Sequence, residues 1–390
     1  MKLAEAQQGA PKAAASAAPM SAEEAGSLRV LLCGPIAPFG QPAGGGYEAA
    51  NRRTIDALRT RGVQVLELPY PRARDSQWRK ALRYAGMYLH HACRILLLRR
   101  GYDVLHLTPL NMQFAWAETL LLASARLARR PVVFDIRAGT FVRHYHGAGR
   151  LYRMAIDASL RLAARVAVEG RAYIPFVRQR HGLAPYYFPN FVSTRETRAA
   201  VWRDTPARHA PICIVYAGRI VSEKGLDTAL AAVGALKDRG LQVRIDLLGD
   251  GPQDYIDQLQ RQHAGLPMHW HGALPPDRLL PILAAAHFFL FPSRHDGEGH
   301  SNALNEAMAL GVVPISSRQG FSADVVGDSG ALLRVDAPAE DYAAAMARIV
   351  LEGRWSILSA RAAARVRKHF SEDAALPGLI ELYRSLLVPR

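Results

Sequence analysis

FFLFPSRHDGEGHSNALNEAMALGVVPIS, residues 288–316, decides the fold of this 390-residue chain. It opens on four apolar residues, Phe288 to Phe291, closed off by Pro292 and Ser293, which read as a short buried strand. After a polar loop, Ser301 and Asn302 precede a run of Ala, Leu and Met, the pattern of a capped helix. Residues 312–316 are apolar again and supply the next strand. Two strands separated by a helix need a crossover, so they pair in parallel.

The same alternation extends in both directions. Further strands are expected at 212–217, 242–248 and 268–271 in the second half. In the first half they are expected at 28–33, 63–68, 103–107, 132–136 and 165–168, with a Gly/Pro-rich loop after the first and a helical pattern over 47–61. Between Asn190 and Pro211 a polar, charged segment interrupts the periodicity and reads as an interdomain connection. The expected class is α/β: two doubly wound, Rossmann-like domains facing across a central cleft at the carboxyl edges of their sheets. The boundaries are 28–190 and 191–370, preceded by a disordered tail over 1–27.

Composition agrees with a globular protein, at 49% hydrophobic and 21% charged residues. The net charge of +15 is uneven: residues 1–190 hold 27 Lys and Arg against 12 Asp and Glu, and residues 191–390 hold 22 of each. Over 78–100, Arg79, Lys80, Arg83, Arg94, Arg99 and Arg100 mix with apolar and aromatic residues. That pattern fits an anionic membrane surface, or simply a solvated Arg-rich face. Base-stacking aromatics on one face are not evident, so no nucleic-acid partner is expected. Cys33, Cys93 and Cys213 lack paired spacing, which implies neither disulfides nor zinc and suits a reducing cytoplasm. The tail lacks the apolar core of a signal peptide. The longest apolar run, over 114–128 and interrupted by Glu118, falls short of the ~20 residues that span a bilayer.

Glu298 and Glu306 flank the helix start at Ser301 and Asn302. Backbone amides and the helix dipole favour a phosphate at such a start, and carboxylates accept hydrogen bonds from sugar hydroxyls. These residues, in the run from Glu298 to Gly311, resemble the donor site of the retaining GT-B glycosyltransferases of the family-4 type (glycosyl transferases group 1). The resemblance implies that Glu306 binds a nucleotide ribose and Glu298 the donor sugar, with Gly299, His300, Ser301 and Asn302 in the donor site.

Ala217-Gly-Arg-Ile-Val-Ser-Glu-Lys-Gly225 similarly resembles the Arg and Lys pair of that family. Arg219 and Lys224, beside Gly218, would stabilise the charge that grows on a departing nucleoside diphosphate. Gly44, Gly45 and Gly46 suit a backbone that approaches a ligand closely and resemble the family's glycine loop. Ala273, after the strand at 268–271, resembles the loop that pairs with the base. Asp135 and Arg137 are candidate acceptor contacts, and His144 and His146 candidate sugar contacts. The helix within 371–390 is expected, by the same resemblance, to pack back on the first domain.

The expected activity is transfer of a sugar from a UDP- or GDP-sugar to a saccharide or lipid-linked saccharide with retention of configuration, in cell-surface polysaccharide biosynthesis. The enzyme is expected in the cytoplasm, peripheral on the inner face of the membrane. No Asp-x-Asp triplet occurs, so no metal is expected; Arg219, Lys224 and the helix start take its place. A GT-B epimerase or phosphorylase, or a non-catalytic nucleotide- or nucleic-acid-binding module, would use the same residues differently.

Overall fold

The computed structural model describes residues 28–41, 43–71, 77–194 and 211–388. The expected tail at 1–27, most of the polar segment after residue 194, residues 389–390 and the side chain of Trp78 lie outside that description.

The first sheet comprises β1 (Arg29–Gly34), β2 (Gln64–Pro69), β3 (Val104–Leu107), β4 (Val132–Ile136), β5 (Arg165–Val168) and β6 (Tyr186–Tyr187). They pair in parallel in the order β2-β1-β3-β4-β5-β6. The second sheet comprises β7 (Ile212–Ala217), β8 (Val243–Leu248), β9 (Met268–Gly272), β10 (Phe288–Phe291), β11 (Val313–Ser317) and β12 (Ala331–Leu333). Its order is β12-β11-β10-β7-β8-β9, again parallel. The two doubly wound domains expected from the alternation of strand and helix are therefore both present. Parallel strands covered by helices on both faces must be apolar throughout, and Val30 to Cys33 and Phe288 to Leu290 have no exposed surface.

Each order reverses once, between β1 and β3 and between β7 and β10. The loops after these strands diverge to opposite faces, which opens a crevice at the carboxyl edge, the usual ligand position in such sheets. The loops after β7 and β10 carry the Arg219–Lys224 and Ser293–Glu298 segments.

The last helix, Glu372–Ser385, is capped by Ser371, whose hydroxyl accepts from the Ala374 amide at 3.2 Å. Its Ala375, Leu376, Leu379, Ile380 and Tyr383 join the core formed by β1 and the helix Gly46–Thr60 of the first domain. Arg61, at the end of that helix, pairs with Glu372 and Asp373. The chain crosses between domains twice, side by side, where Val192 and Ser371 form a parallel bridge.

Candidate functional site

The site begins at the crevice between β7 and β10. After β7 the chain makes one turn of 3-10 helix, Ser222–Lys224, and ends it on Gly225 at φ 72°. A side chain there is excluded twice over, by that left-handed backbone and because a Cβ would stand 2.0 Å from the Pro292 carbonyl oxygen. This fit sets Lys224 against the loop after β10: its Nζ lies 2.6 Å from Glu298 Oε2. Ser293 Oγ donates to the same oxygen at 2.7 Å. Glu298 is thus fixed on one oxygen and makes no hydrogen bond through Oε1 to the described residues. Arg219 is exposed, and its guanidinium has no hydrogen-bond or ion-pair partner among them.

The helix Asn302–Ala309 follows. Ser301 is its N-cap, with Oγ accepting from the Leu304 amide at 3.4 Å, while the Asn305 amide reaches the Ser301 carbonyl. The amides of Asn302 and Ala303 make no hydrogen bond to the described residues, leaving two donors at the positive end of the helix dipole. The glycine loop of the first domain meets this tip, where Asn302 Nδ2 donates to the Gly46 carbonyl at 2.9 Å. Gly45 is open: a Cβ there would find nothing within 4 Å. Glu306, one turn further, pairs with Arg53 of the helix Gly46–Thr60, Nη2 to Oε1 at 2.6 Å.

The domains touch through backbone at the site. A Cβ on Gly139 of the first domain would be 1.9 Å from the Glu298 carbonyl oxygen, and one on Gly320 would be 2.2 Å from the same atom. The peptide after Glu298 is held between these glycines. A Cβ on Gly299 would be 2.2 Å from Oε1 of Glu169, the residue that follows β5.

Asp135 and Arg137, expected as acceptor contacts, are both buried. Asp135 has no exposed surface, and its Oδ2 accepts from Arg137 Nε at 2.6 Å and His106 Nε2 at 3.1 Å. Because His106 Nε2 donates to a carboxylate, its Nδ1 accepts from the Tyr383 hydroxyl. Burial disfavours the Asp135 charge, yet Arg137 and His106 outweigh it and hold the carboxyl below its usual range. Arg137 continues the chain to Asn190 Oδ1 at 2.6 Å, and Asn190 Nδ2 donates to the His300 carbonyl at 2.7 Å. Asn305 Nδ2 donates both to the Asn190 carbonyl and to His300 Nε2, at 2.9 Å each. Charged residues at a strand end are thus consumed by a network that fastens the donor-side loop to the first sheet and the last helix.

His300 is consequently neutral; burial is the main force lowering it to about 4. His144 and His146 sit on the helix Phe141–Gly147, His144 edge-on to Tyr152 and His146 against Tyr145 and Phe176. Neither makes a hydrogen bond or ion pair with Glu298 or Lys224, whereas their neighbour Arg143 reaches Asp296 at 3.0 Å. Ala273 is exposed beyond β9, next to Gly272 at φ 68°.

Residues that the sequence reading passed over are Arg53, Glu169, Asn190, Ser293, His295 and Asn305. Of these only Ser293, directly after a strand, carried a positional signal. His295 lies in the loop before Glu298, and burial together with the nearby Lys224 charge lowers its imidazole below the ordinary value.

Known proteins resemble this chain in sequence and in fold. Residues 211–352 match the family described as glycosyl transferases group 1. Over 136 residues the chain is 32% identical to a GDP-mannose-dependent alpha-(1-6)-phosphatidylinositol dimannoside mannosyltransferase of Mycobacterium tuberculosis, covering 34% of this chain and 35% of that protein. Over 124 residues it is 32% identical to the putative colanic acid biosynthesis glycosyltransferase WcaL of Escherichia coli, covering 30% of each. The matched segments thus span about a third of the length of these curated relatives. The crystal structure of Anabaena HepE in complex with UDP superimposes with a TM-score of 0.67 at 17% identity, covering 92% of this chain and 100% of that one. Residues 211–352 are accordingly a glycosyl transferases group 1 domain, set in a chain with the two-domain GT-B fold.

Proposed function

We propose that the protein transfers a sugar from a nucleotide-sugar donor to a hydroxyl of a saccharide or lipid-linked saccharide, with retention of configuration. The observation that carries this reading is the Lys224–Glu298 pair at 2.6 Å in the crevice between β7 and β10, beside Arg219 and a helix tip with two amides, all without partners among the described residues. A diphosphate placed there meets cationic and amide donors together, and the sugar attached to it meets Glu298.

As the bond between the anomeric carbon and the phosphate oxygen breaks, negative charge accumulates on the leaving diphosphate. Arg219, Lys224 and the Asn302 and Ala303 amides stabilise that charge more strongly than the charge of the intact donor. The acceptor oxygen forms the new bond on the face the diphosphate leaves, and its proton passes to a phosphate oxygen. No protein nucleophile takes part, and no metal is required. Glu298, fixed through Oε2, holds a donor hydroxyl with Oε1.

A mannosyltransferase acting on phosphatidylinositol dimannoside and a colanic acid glycosyltransferase among the relatives support an acceptor in cell-surface glycoconjugate assembly. Among the described residues no helix is long and apolar enough to cross a membrane. The helix Gln77–Leu97 exposes Leu82, Leu89 and Leu97 along with Lys80, Arg83 and Arg94, which suits the surface of an anionic bilayer. Co-sedimentation with vesicles that ignores anionic lipid content and salt would remove that part of the reading.

The test is product analysis with a panel of labelled UDP- and GDP-sugars and saccharide acceptors. Label appearing in an acceptor with the donor's anomeric configuration supports the proposal. Isomerised or phosphorylated sugar with no transfer would instead identify an epimerase or phosphorylase.

A further inference from the structure

Glu169 has no part in the chemistry above, yet it occupies an unusual position. It follows β5 at the carboxyl edge of the first sheet, is only 2% exposed, and its Oε1 makes no hydrogen bond to any described residue. The same oxygen is pressed against Gly299, the residue after Glu298, where an added Cβ would lie 2.2 Å away. That Cβ would also lie 3.2 Å from the Arg137 carbonyl oxygen, so Glu169, Arg137 and the Glu298–Gly299 peptide adjoin.

A second buried polar atom here is unserved. Arg137 Nη2, a donor, has no hydrogen-bond partner among the described residues. The His300 ring, by contrast, is bonded to Asn305 and to the Glu169 backbone. A buried polar group without a partner costs roughly 1–3 kcal/mol, so the two together point to something polar that completes them.

We propose that Glu169, with Arg137 beside it, binds a hydroxyl of the donor sugar from the first-domain side, opposite the hydroxyl held by Glu298. This rests on the donor reading given above and extends it with a contact from the other domain. Glu169 Oε1 lies against the Glu298–Gly299 peptide, and the Glu298 charge is felt at Glu169.

The two carboxyls stand in different environments. Glu298 carries Lys224 as counter-charge, whereas burial holds the Glu169 carboxyl well above its usual range, with Arg137 opposing and Asp135 and Glu298 adding to the shift. The charged and titratable groups around Glu169 are Arg137 and Asp135 from β4 and its end, Tyr47 and Tyr173 of the same domain, and Glu298 and His300 of the other. In its neutral form Glu169 donates and accepts at once, as a sugar hydroxyl does. Ionisation at higher pH removes the donor and sets a second negative charge beside Glu298.

The experiment is titration calorimetry on the full chain with two pairs of probes, UDP against UDP-glucose and GDP against GDP-mannose. The quantity read is the gain in affinity that the sugar adds to its nucleotide. In Glu169→Leu that gain should fall about tenfold with nucleoside diphosphate affinity unchanged, as expected for one lost hydrogen bond in a buried site. Glu169→Gln should keep most of the gain, and wild-type protein should lose it as pH rises while Glu169→Gln does not. If Glu169→Leu fails to fold, the last comparison decides, and equal pH dependence in the two proteins overturns the proposal. An undiminished gain in Glu169→Leu also overturns it, leaving Glu169 as a water-filled structural site. Wild-type protein that binds neither nucleotide would instead refute the donor reading itself.

Discussion

Arg53 Nη2 of the first domain lies 2.6 Å from Glu306 Oε1 of the second, and both side chains are largely shielded from solvent. Arg53 also donates to the Phe191 carbonyl at 2.8 Å, so one guanidinium ties the donor-side helix to the interdomain crossing. The first domain thereby orients the carboxylate expected to meet the nucleotide ribose. In a double-mutant cycle of Arg53→Ala and Glu306→Ala, read by chemical denaturation, the losses should be non-additive by roughly 1–3 kcal/mol. Simple additivity would show that the pair carries no energy.

Lys224 pairs with Glu298 in the free protein, and in the proposed mechanism it turns to the leaving diphosphate in the transition state. Lys224→Ala should therefore lower kcat by about 10²- to 10³-fold, or about 3 to 4 kcal/mol of barrier, with an unchanged fold by circular dichroism. Loss confined to KM would place Lys224 in ground-state binding only.

Gly139 tests whether the closed arrangement is the working one. The atoms nearest an added methyl are all backbone of Glu298 and Gly299 in the opposite domain. Gly139→Ala should leave nucleoside diphosphate binding intact while transfer falls by more than about tenfold, because a collision at 1.9 Å cannot be relieved by rotating a side chain. Normal turnover would mean that the two backbones never approach this closely during reaction.

The pattern of these contacts explains what the sequence could and could not disclose. Strands such as β1 and β10 were legible because a parallel strand buried on both faces is apolar along its whole length. The edge strands β2 (QVLELP) and β9 (MHWHG) carry polar and exposed positions and were legible from the apolar residues between them. The two-residue β6 and the three-residue β12 were not, since neither is long enough to show a pattern. Glu298, Lys224 and Ser301 stand out by spacing from a strand end or helix start. Arg53 does not: Arg52 beside it has the same chemistry but pairs with Glu67, and only the three-dimensional packing separates the two roles. Asp135 and Arg137 show the converse: charge at a strand end suggests a ligand contact, but their partners His106 and Asn190, with Tyr383 behind His106, come from other parts of the chain.

His300 predicts a pH dependence of stability. Its imidazole is lowered from 6.5 to about 4 by burial, so the unfolded chain binds a proton that the folded chain refuses. The stabilisation is complete above pH 6.5 and drains away as pH falls toward 4, amounting to about 3 kcal/mol. Glu118 acts in the opposite sense, because burial raises it to about 7. The His300 contribution is therefore read as the difference between wild type and His300→Gln in denaturation at pH 7 and pH 4.5. The variant should lose less stability on acidification; parallel losses would refute the assignment.

The grip on a diphosphate is the claim on which the remaining chemistry depends. A crystal structure of the protein with UDP or GDP tests it most directly. The account predicts phosphate oxygens within hydrogen-bonding distance of Arg219, Lys224 and the Asn302 and Ala303 amides, and the ribose at Glu306. A diphosphate bound elsewhere, with Arg219 still facing solvent, would contradict it.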